Sequence, residues 1–118
     1  MLFRNSSHFR LVRRKWALTQ AELARLVGWK DIRHLSRVER DLRIPSIRAL
    51  IKYEVLFGTP MRELLPKLYA EVEEEIIREA REMFDQLKGS RSQAGARKRE
   101  LLVLALKRAI IRTQQQDT

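Results

Sequence analysis

The stretch Leu18-Thr19-Gln20-Ala21-Glu22-Leu23-Ala24 contains the start of a helix and decides much of the fold. Thr19 is a favoured N-cap residue and Glu22 follows three positions later, so the two predict a reciprocal capping box. The leucines on either side of this cap are spaced to pack against each other as a hydrophobic staple. Gly28 predicts the end of the helix, because glycine adopts the left-handed conformation without a steric cost.

The segment after this glycine predicts a further helix with two unlike sides. Asp31 is its expected N-cap, and the helix runs to about Asp41. Apolar residues recur at helical spacing at little more than Leu35 and Val38, which predicts a narrow buried stripe. The side chains left for the outer surface are mostly cationic: Lys30, Arg33, His34, Arg37 and Arg40.

Similar signals predict three more helices within the first 65 residues. A first helix turns Phe9 and Trp16 inward. A fourth helix is capped by Ser46 and ends at Gly58, and a short fifth helix has Thr59 as its N-cap.

The rest of the chain predicts two longer amphipathic helices. After Pro66, apolar residues recur at helical spacing with acidic residues between them, and a polar connection then leads to the apolar segment Leu101 to Ile111. The predicted fold is therefore all-α, with a five-helix domain followed by two C-terminal helices. The expected divisions are an N-terminal arm (1–8), the five-helix domain (9–65), a C-terminal helical extension (66–112) and a disordered tail (113–118).

The distribution of charge indicates a polyanionic partner for the five-helix domain. The formal net charge is +10, and nucleic acid is the commonest polyanion that such a protein binds. Residues 1–65 carry 14 Lys and Arg against 6 Asp and Glu, whereas residues 66–88 carry 4 against 7. The absence of cysteine excludes disulfides and thiolate chemistry. We see no secretion signal and no apolar run long enough to span a membrane, so we expect a cytoplasmic protein.

A helix with a buried stripe and a cationic outer side fits the major groove of DNA, which is wide enough for one helix. Arginine can bind guanine through two hydrogen bonds, and histidine can donate or accept one at a base edge. The predicted base contacts are Arg33, His34, Arg37 and, through an apolar contact, Ile32. The free N–H groups at the start of the second helix suit a phosphate. The predicted phosphate contacts are Gln20, Lys30, Arg40, Arg43 and Ser46.

The ordered series of caps, glycine and basic helix predicts a helix-turn-helix. It resembles the Cro/C1-type (XRE) family, which has the lambda-repressor-like fold of the lambdoid phage repressors. The resemblance covers about Phe9 to Leu65 and is carried by the opening stretch, by Leu35-Ser36-Arg37-Val38-Glu39-Arg40 and by Phe57-Gly58-Thr59-Pro60-Met61-Arg62-Glu63-Leu64-Leu65. Members bind operator DNA, usually as symmetric dimers, so the resemblance implies a sequence-specific regulator of transcription, with repression as the expected activity.

The resemblance also implies roles for three polar residues. In the family, a glutamine that opens the second helix contacts a phosphate, which corresponds to Gln20. A glutamate at the end of the recognition helix pairs with an arginine of the first helix, which corresponds here to Glu39 and Arg13. The segment between Gly28 and Glu39 is one residue longer than the common family pattern, and we place the extra residue in the turn near Trp29.

The C-terminal helices are predicted to form a homodimer contact. They offer more apolar surface than one hairpin needs, and exposed apolar patches usually mark a partner site. The residues expected in this contact are Leu101, Leu102, Leu104, Leu106 and Ile110. One alternative is a plain hairpin packed on its own domain. Another is an antitoxin-like module whose C-terminal helices bind a second protein.

The sequence favours a dimer that binds double-stranded DNA over an enzyme. It contains no Ser/His/Asp spacing, no phosphate-binding loop and no metal constellation, so we expect no catalytic residue, metal or cofactor. The glutamates at 73–75 point around a helix and predict a solvated face rather than a metal site. RNA is disfavoured as a partner because the aromatic residues fall mostly at core-like positions.

Overall fold

The computed structural model describes residues 6–116 and contains seven helices within them. The helices are α1 (Ser6–Lys15), α2 (Gln20–Val27), α3 (Ile32–Glu39), α4 (Ile47–Phe57), α5 (Met61–Leu64), α6 (Pro66–Leu87) and α7 (Gln93–Gln116). No strand occurs in this part of the chain, so the predicted all-α fold is confirmed. The chain divides into two compact units, Met1–Ala70 and Glu71–Thr118.

The helix starts predicted from cap residues are present at α2, α3 and α4. The Glu22 N–H donates to Thr19 Oγ1 (3.1 Å) and the Thr19 N–H donates to Glu22 Oε1 (2.9 Å), which completes the capping box. Asp31 caps α3 and Ser46 caps α4 through side-chain oxygens. Each cap satisfies an N–H group that a helix start leaves without a partner, which contributes about 1 kcal/mol.

The first unit has one hydrophobic core. Its most deeply buried side chains are Phe9, Leu23, Leu35, Val38, Tyr53 and Leu64. The apolar contribution of α3 is limited to Leu35 and Val38, which are 0% and 1% exposed. Burial of an aliphatic side chain of this size contributes about 1.5–3 kcal/mol. These two side chains therefore anchor a helix of eight residues that would not be stable by itself.

The predicted inward position of Trp16 is wrong. Its side chain is 60% exposed, and the Lys15 ammonium lies 5.5 Å from the centroid of the indole. The reason is local, because α1 ends at Lys15 and Ala17 adopts a left-handed conformation with φ of +57°. This turn breaks the helical spacing on which the prediction depended. Phe9 is buried as predicted, with its ring edge-on to Tyr53.

Other helix boundaries also differ from the sequence pattern. Thr59 is not the N-cap of α5: Pro60 occupies that position and provides no side-chain hydrogen bond. The last helix continues to Gln116 and so includes part of the segment 113–118, for which the sequence predicted a disordered tail. The first helix begins at Ser6, inside the predicted N-terminal arm, and the first five residues of that arm lie outside the described residues.

Ala17→Gly is expected to raise the free energy of unfolding by about 0.5–1 kcal/mol, because a β-carbon is costly in the left-handed region. The turn itself should persist, since it is closed by backbone hydrogen bonds to the Arg13 and Arg14 carbonyls. Urea unfolding measures the change. The matched control is Ala70→Gly, at an exposed position inside α6, where glycine should cost a similar amount. A loss of stability in both variants would contradict the assignment of strain to Ala17.

The second unit is a hairpin of α7 with the part of α6 that follows Ala70. Arg99 Nη1 donates to the carbonyls of Leu87 (2.6 Å) and Ser90 (3.0 Å), which ties α7 to the turn between the helices. Towards the other end, Arg112 of α7 pairs with Glu73 of α6. These contacts place the C-terminal part of α7 beside the N-terminal part of α6, so the two helices run antiparallel. Within the described residues, no helix is both long and apolar enough to cross a membrane.

Candidate nucleic-acid interface

A turn of four residues, Gly28 to Asp31, connects α2 to α3. Gly28 is left-handed (φ of +91°), and its N–H donates to the Ala24 carbonyl (3.0 Å). The Lys52 ammonium of α4 donates to the Val27 carbonyl (2.7 Å), one of the carbonyls that the end of α2 leaves without a helical partner. A cation is also favoured at this end of the helix dipole. The start of the turn is therefore held by both α2 and α4.

The helix α3 has one buried side and one exposed side. Leu35, Val38 and Glu39 are at most 1% exposed. The opposite side carries exposed side chains at Ile32, Arg33 and Arg37. Because the buried residues fix the helix in the core, these outer side chains project from a rigid element. A helix that enters a major groove requires this arrangement.

Arg33 is held by Asp31 at the start of α3. Asp31 Oδ1 accepts the Arg33 backbone N–H (2.8 Å), while Oδ2 lies 3.1 Å from Nη2 and 3.4 Å from Nε of the guanidinium. The Asp31 side chain is 48% exposed and the Arg33 side chain 83%. The hydrogen bonds between them lower the pKa of Asp31 and raise the pKa of Arg33. Both side chains therefore stay ionised near neutral pH.

The residues predicted to contact phosphate include several in the turns on either side of α3. Lys30 precedes the helix, Arg40 and Arg43 follow it, and all three are exposed. Ser46 Oγ accepts the Ala49 N–H at the start of α4 (3.2 Å), which leaves the hydroxyl proton available to a phosphate oxygen.

Gln20 takes part in a polar network that links three helices. The Arg13 guanidinium donates to both oxygens of Glu39, at 2.6 Å and 3.0 Å, and Gln20 Nε2 donates to Glu39 Oε1 (3.1 Å). Arg13 Nη1 also donates to the Leu18 carbonyl (2.9 Å). The ion pair expected between Arg13 and Glu39 is present, and its hydrogen bonds raise the pKa of Arg13. Gln20 keeps a second amide proton for another partner.

The expectation that His34 lies on the outer side of α3 is wrong. Its ring stacks on Trp29, with centroids 4.4 Å apart and planes inclined by 13°. The Nε2 atom is buried and has no hydrogen-bond partner among the described residues. The reason is that His34 lies one helical turn before Val38 and so borders the buried stripe. Burial lowers the pKa of His34, and the charges of Arg43 and Arg37 lower it further, so we expect a neutral imidazole at pH 7.

Acidification to about pH 5 is expected to lower the free energy of unfolding through His34. The pKa of this group is lower in the folded protein, although Asp31 raises it in part. The unfolded chain therefore binds the proton first, and stability falls as the pH drops below about 6.5. Thermal unfolding at pH 7.5 and 5 should show a smaller pH effect in His34→Gln than in the parent. The matched control is His8→Gln, at an exposed histidine; equal effects of the two substitutions would contradict this assignment.

Two contacts at this site were missed by the sequence analysis. The spacing of Asp31 and Arg33 was a usable signal, because an N-cap carboxylate lies close to the side chain two residues later. Lys52 lies 25 residues from Val27, and no local pattern indicates that contact.

The residues predicted for dimerisation fall on two sides of α7. Leu101, Leu104 and Ile110 are 61%, 42% and 53% exposed, whereas Leu102 and Leu106 are half-buried. The last two are four residues apart and share a face with the buried part of α7. Exposed apolar side chains also occur on α6, at Val72, Ile76 and Met83, outside the set predicted from the sequence.

The fold and the exposed cationic helix define a DNA-binding protein. Residues 10–64 match the family model described as Helix-turn-helix, a match of 55 of the 118 residues that runs from α1 to the end of α5. No curated protein and no solved structure matches the chain. The chain thus carries a helix-turn-helix domain of the Cro/C1 type, as the resemblance implied. This domain is a DNA-binding regulatory domain, which supports a role for the protein as a DNA-binding transcription regulator.

Proposed function

We propose that this protein is a repressor that binds a palindromic operator as a homodimer, with α3 of each subunit in a major groove. The observation that carries the proposal is the division of α3 into two sides. Leu35 and Val38 are buried in the core, while Arg33 and Arg37 extend into solvent. A dimer bound in this way would repress by excluding other proteins from the same DNA.

Arg33 and Arg37 are proposed to read guanine, because a guanidinium can donate two hydrogen bonds to O6 and N7 of that base. They are four residues apart and so lie one turn apart on one side of the helix. Ile32 is 44% exposed and suits contact with a thymine methyl group. His34 is instead proposed to support the turn before α3, because its ring is stacked on Trp29.

Phosphate binding is proposed for polar residues around α3 and at the start of α2. The N–H groups of the first turn of α2 and the positive end of its dipole favour an anion beside Gln20. The other proposed phosphate contacts are Lys30, Arg40, Arg43 and Ser46. Each cationic contact would release counterions, so affinity should fall steeply as salt is raised.

Dimerisation is proposed through the exposed apolar side chains of the α6–α7 hairpin. Leu101, Leu104 and Ile110 on α7 and Val72, Ile76 and Met83 on α6 are each at least 42% exposed. Apolar patches of this kind usually mark a protein interface. A two-fold symmetric pair would present two copies of α3 to the duplex, which requires an operator with an inverted repeat.

Leu104→Glu is expected to convert the dimer to a monomer at micromolar concentration. A carboxylate placed in an apolar contact is desolvated without a partner, whereas the fold of one subunit should tolerate a side chain at this exposed position. Sedimentation velocity measures the mass. The matched control is Gln86→Glu, which introduces the same side chain at an exposed polar position of α6. Survival of the dimer in both Leu104→Glu and Ile76→Glu would contradict the proposed interface.

The proposed function is tested by selecting bound sites from random DNA duplexes with the purified protein. Recovery of an inverted repeat would support both sequence-specific binding and two-fold symmetry. A single, non-repeated site would support specific binding by a monomer and contradict the dimer. Failure to enrich any sequence at low salt would contradict the whole proposal.

A further inference from the structure

We propose that Asp31 determines specificity by orienting Arg33 for a guanine and keeping it away from phosphate. The inference rests on the proposed role of Arg33 in base reading. Asp31 is the acidic residue available for this task at the start of α3, because the glutamate within that helix, Glu39, is 1% exposed.

The carboxylate of Asp31 is itself held in place. Its Oδ1 atom accepts the Arg33 N–H at 2.8 Å, and the backbone at Asp31 is extended, with φ of −148° and ψ of 177°. The second oxygen is thereby directed to the guanidinium of the same arginine, at 3.1 Å from Nη2 and 3.4 Å from Nε. One side chain thus caps α3 and restrains an arginine that is otherwise 83% exposed.

The donors that Asp31 leaves unused are the ones that a guanine requires. A guanidinium has five N–H donors, one on Nε and two on each terminal nitrogen. Asp31 Oδ2 takes the Nε proton and one Nη2 proton. The remaining Nη2 proton and the adjacent Nη1 proton form the forked end of the group, which can reach O6 and N7 of one guanine together.

The negative charge of Asp31 should favour guanine over phosphate as the partner of Arg33, as the geometry does. An exposed, unrestrained arginine beside DNA gains much from any nearby phosphate, and such contacts carry no sequence information. A neighbouring carboxylate reduces that gain, because it is repelled by phosphate and cancels the arginine charge. Hydrogen bonds to the neutral acceptors of guanine are affected less. An exposed ion pair contributes little to folding stability, so its main effect is expected in the choice of DNA sequence.

The experiment compares site selection from random duplexes by the parent, Asp31→Ser, Asp31→Asn, Arg33→Ala and the double variant Asp31→Ser/Arg33→Ala. Serine and asparagine are N-cap residues about as favourable as aspartate, so α3 should keep its start, which thermal unfolding checks. Arg33→Ala identifies the base pair that Arg33 reads. At that base pair, both Asp31 variants should lose about fivefold or more of the preference for guanine. Their affinity for random duplexes should rise about two- to fivefold at low salt.

The double variant separates an indirect role from a direct one. If Asp31 acts through Arg33, the double variant should have the same base preferences as Arg33→Ala. A further loss in the double variant would mean that Asp31 contacts a base itself, which overturns the positioning role. Unchanged preference in both Asp31 variants, with relaxed preference in Arg33→Ala, would overturn this inference and leave the proposed function intact. If Arg33→Ala relaxes no base pair, the proposed base contact and this inference are both wrong.

Discussion

Arg13→Ala is expected to lower the free energy of unfolding of the first unit by about 3–5 kcal/mol, the usual cost of removing one partner of a buried ion pair. Glu39 is 1% exposed and accepts two hydrogen bonds from Arg13. Without the arginine, the Gln20 amide is the one side-chain hydrogen-bond partner that the buried carboxylate keeps among residues 6–116. The variant also loses the hydrogen bond to the Leu18 carbonyl, just before α2. Urea unfolding followed by circular dichroism measures the change.

Two comparisons separate this ion pair from a general effect of charge. Arg14→Ala removes an exposed arginine from the adjacent position and should change stability by no more than about 0.5 kcal/mol. The double variant Arg13→Met/Glu39→Met should be more stable than Arg13→Ala, because it leaves no buried charge without a partner. If the loss of unfolding free energy in the double variant equals the sum of the losses in Arg13→Met and Glu39→Met, the proposed penalty for a buried carboxylate without a partner is wrong.

The same network connects stability to the DNA-binding side. Glu39 lies at the end of α3, Arg13 near the end of α1, and Gln20 at the start of α2. One buried carboxylate therefore holds together α3, which we propose to enter the major groove, and the start of α2, which we propose to bind phosphate. We expect substitutions here to reduce DNA binding through loss of the folded arrangement. At a lower temperature a larger fraction of Arg13→Ala should be folded, and its DNA affinity should recover in part. No such recovery is expected if the variant has lost a direct contact between Arg13 and DNA.

Local sequence signals predicted the parts of the fold that depend on near neighbours. The caps at Thr19 and Asp31 and the helix end at Gly28 each depend on atoms within four residues, and the structure contains all three. Trp16 was misplaced because α1 ends at Lys15, so the helical spacing on which the prediction depended does not extend to this side chain. Contacts between distant residues, such as that of Lys52 with Val27, leave no local pattern.

In the candidate site too, features set by near neighbours could be predicted, whereas those set by tertiary contacts could not. The cationic outer side of α3 could be predicted from helical spacing. Leu35 and Val38 define the buried side of the helix, and Arg33 and Arg37 lie on the opposite side. The same spacing predicted an exposed position for His34, but its ring stacks on Trp29 in the preceding turn and is held against the domain. The conformation of that turn is a tertiary property. Periodicity within α3 therefore could not separate this residue from the arginines.

Arg37→Ala is expected to reduce affinity for the selected operator by about 10- to 100-fold and to relax the choice of base at one position of each half-site. Arg37 is exposed in the last turn of α3, and the adjacent Val38 is fixed in the core, so its guanidinium projects from a rigid helix. Fluorescence anisotropy with the selected duplex and with a scrambled duplex measures the two affinities. The loss should be much larger for the selected duplex, because the scrambled one offers no matching guanine.

Arg40→Ala is the matched comparison, since it removes the same exposed side chain from the position just after α3. As a proposed phosphate contact, Arg40 should contribute to both duplexes alike, and its loss should reduce the slope of log affinity against log salt by about one. The ratio of the two affinities should then stay at the parent value in Arg40→Ala and fall in Arg37→Ala. Equal losses on both duplexes in both variants would mean that α3 supplies charge alone, and that the bases are read by another element of the protein.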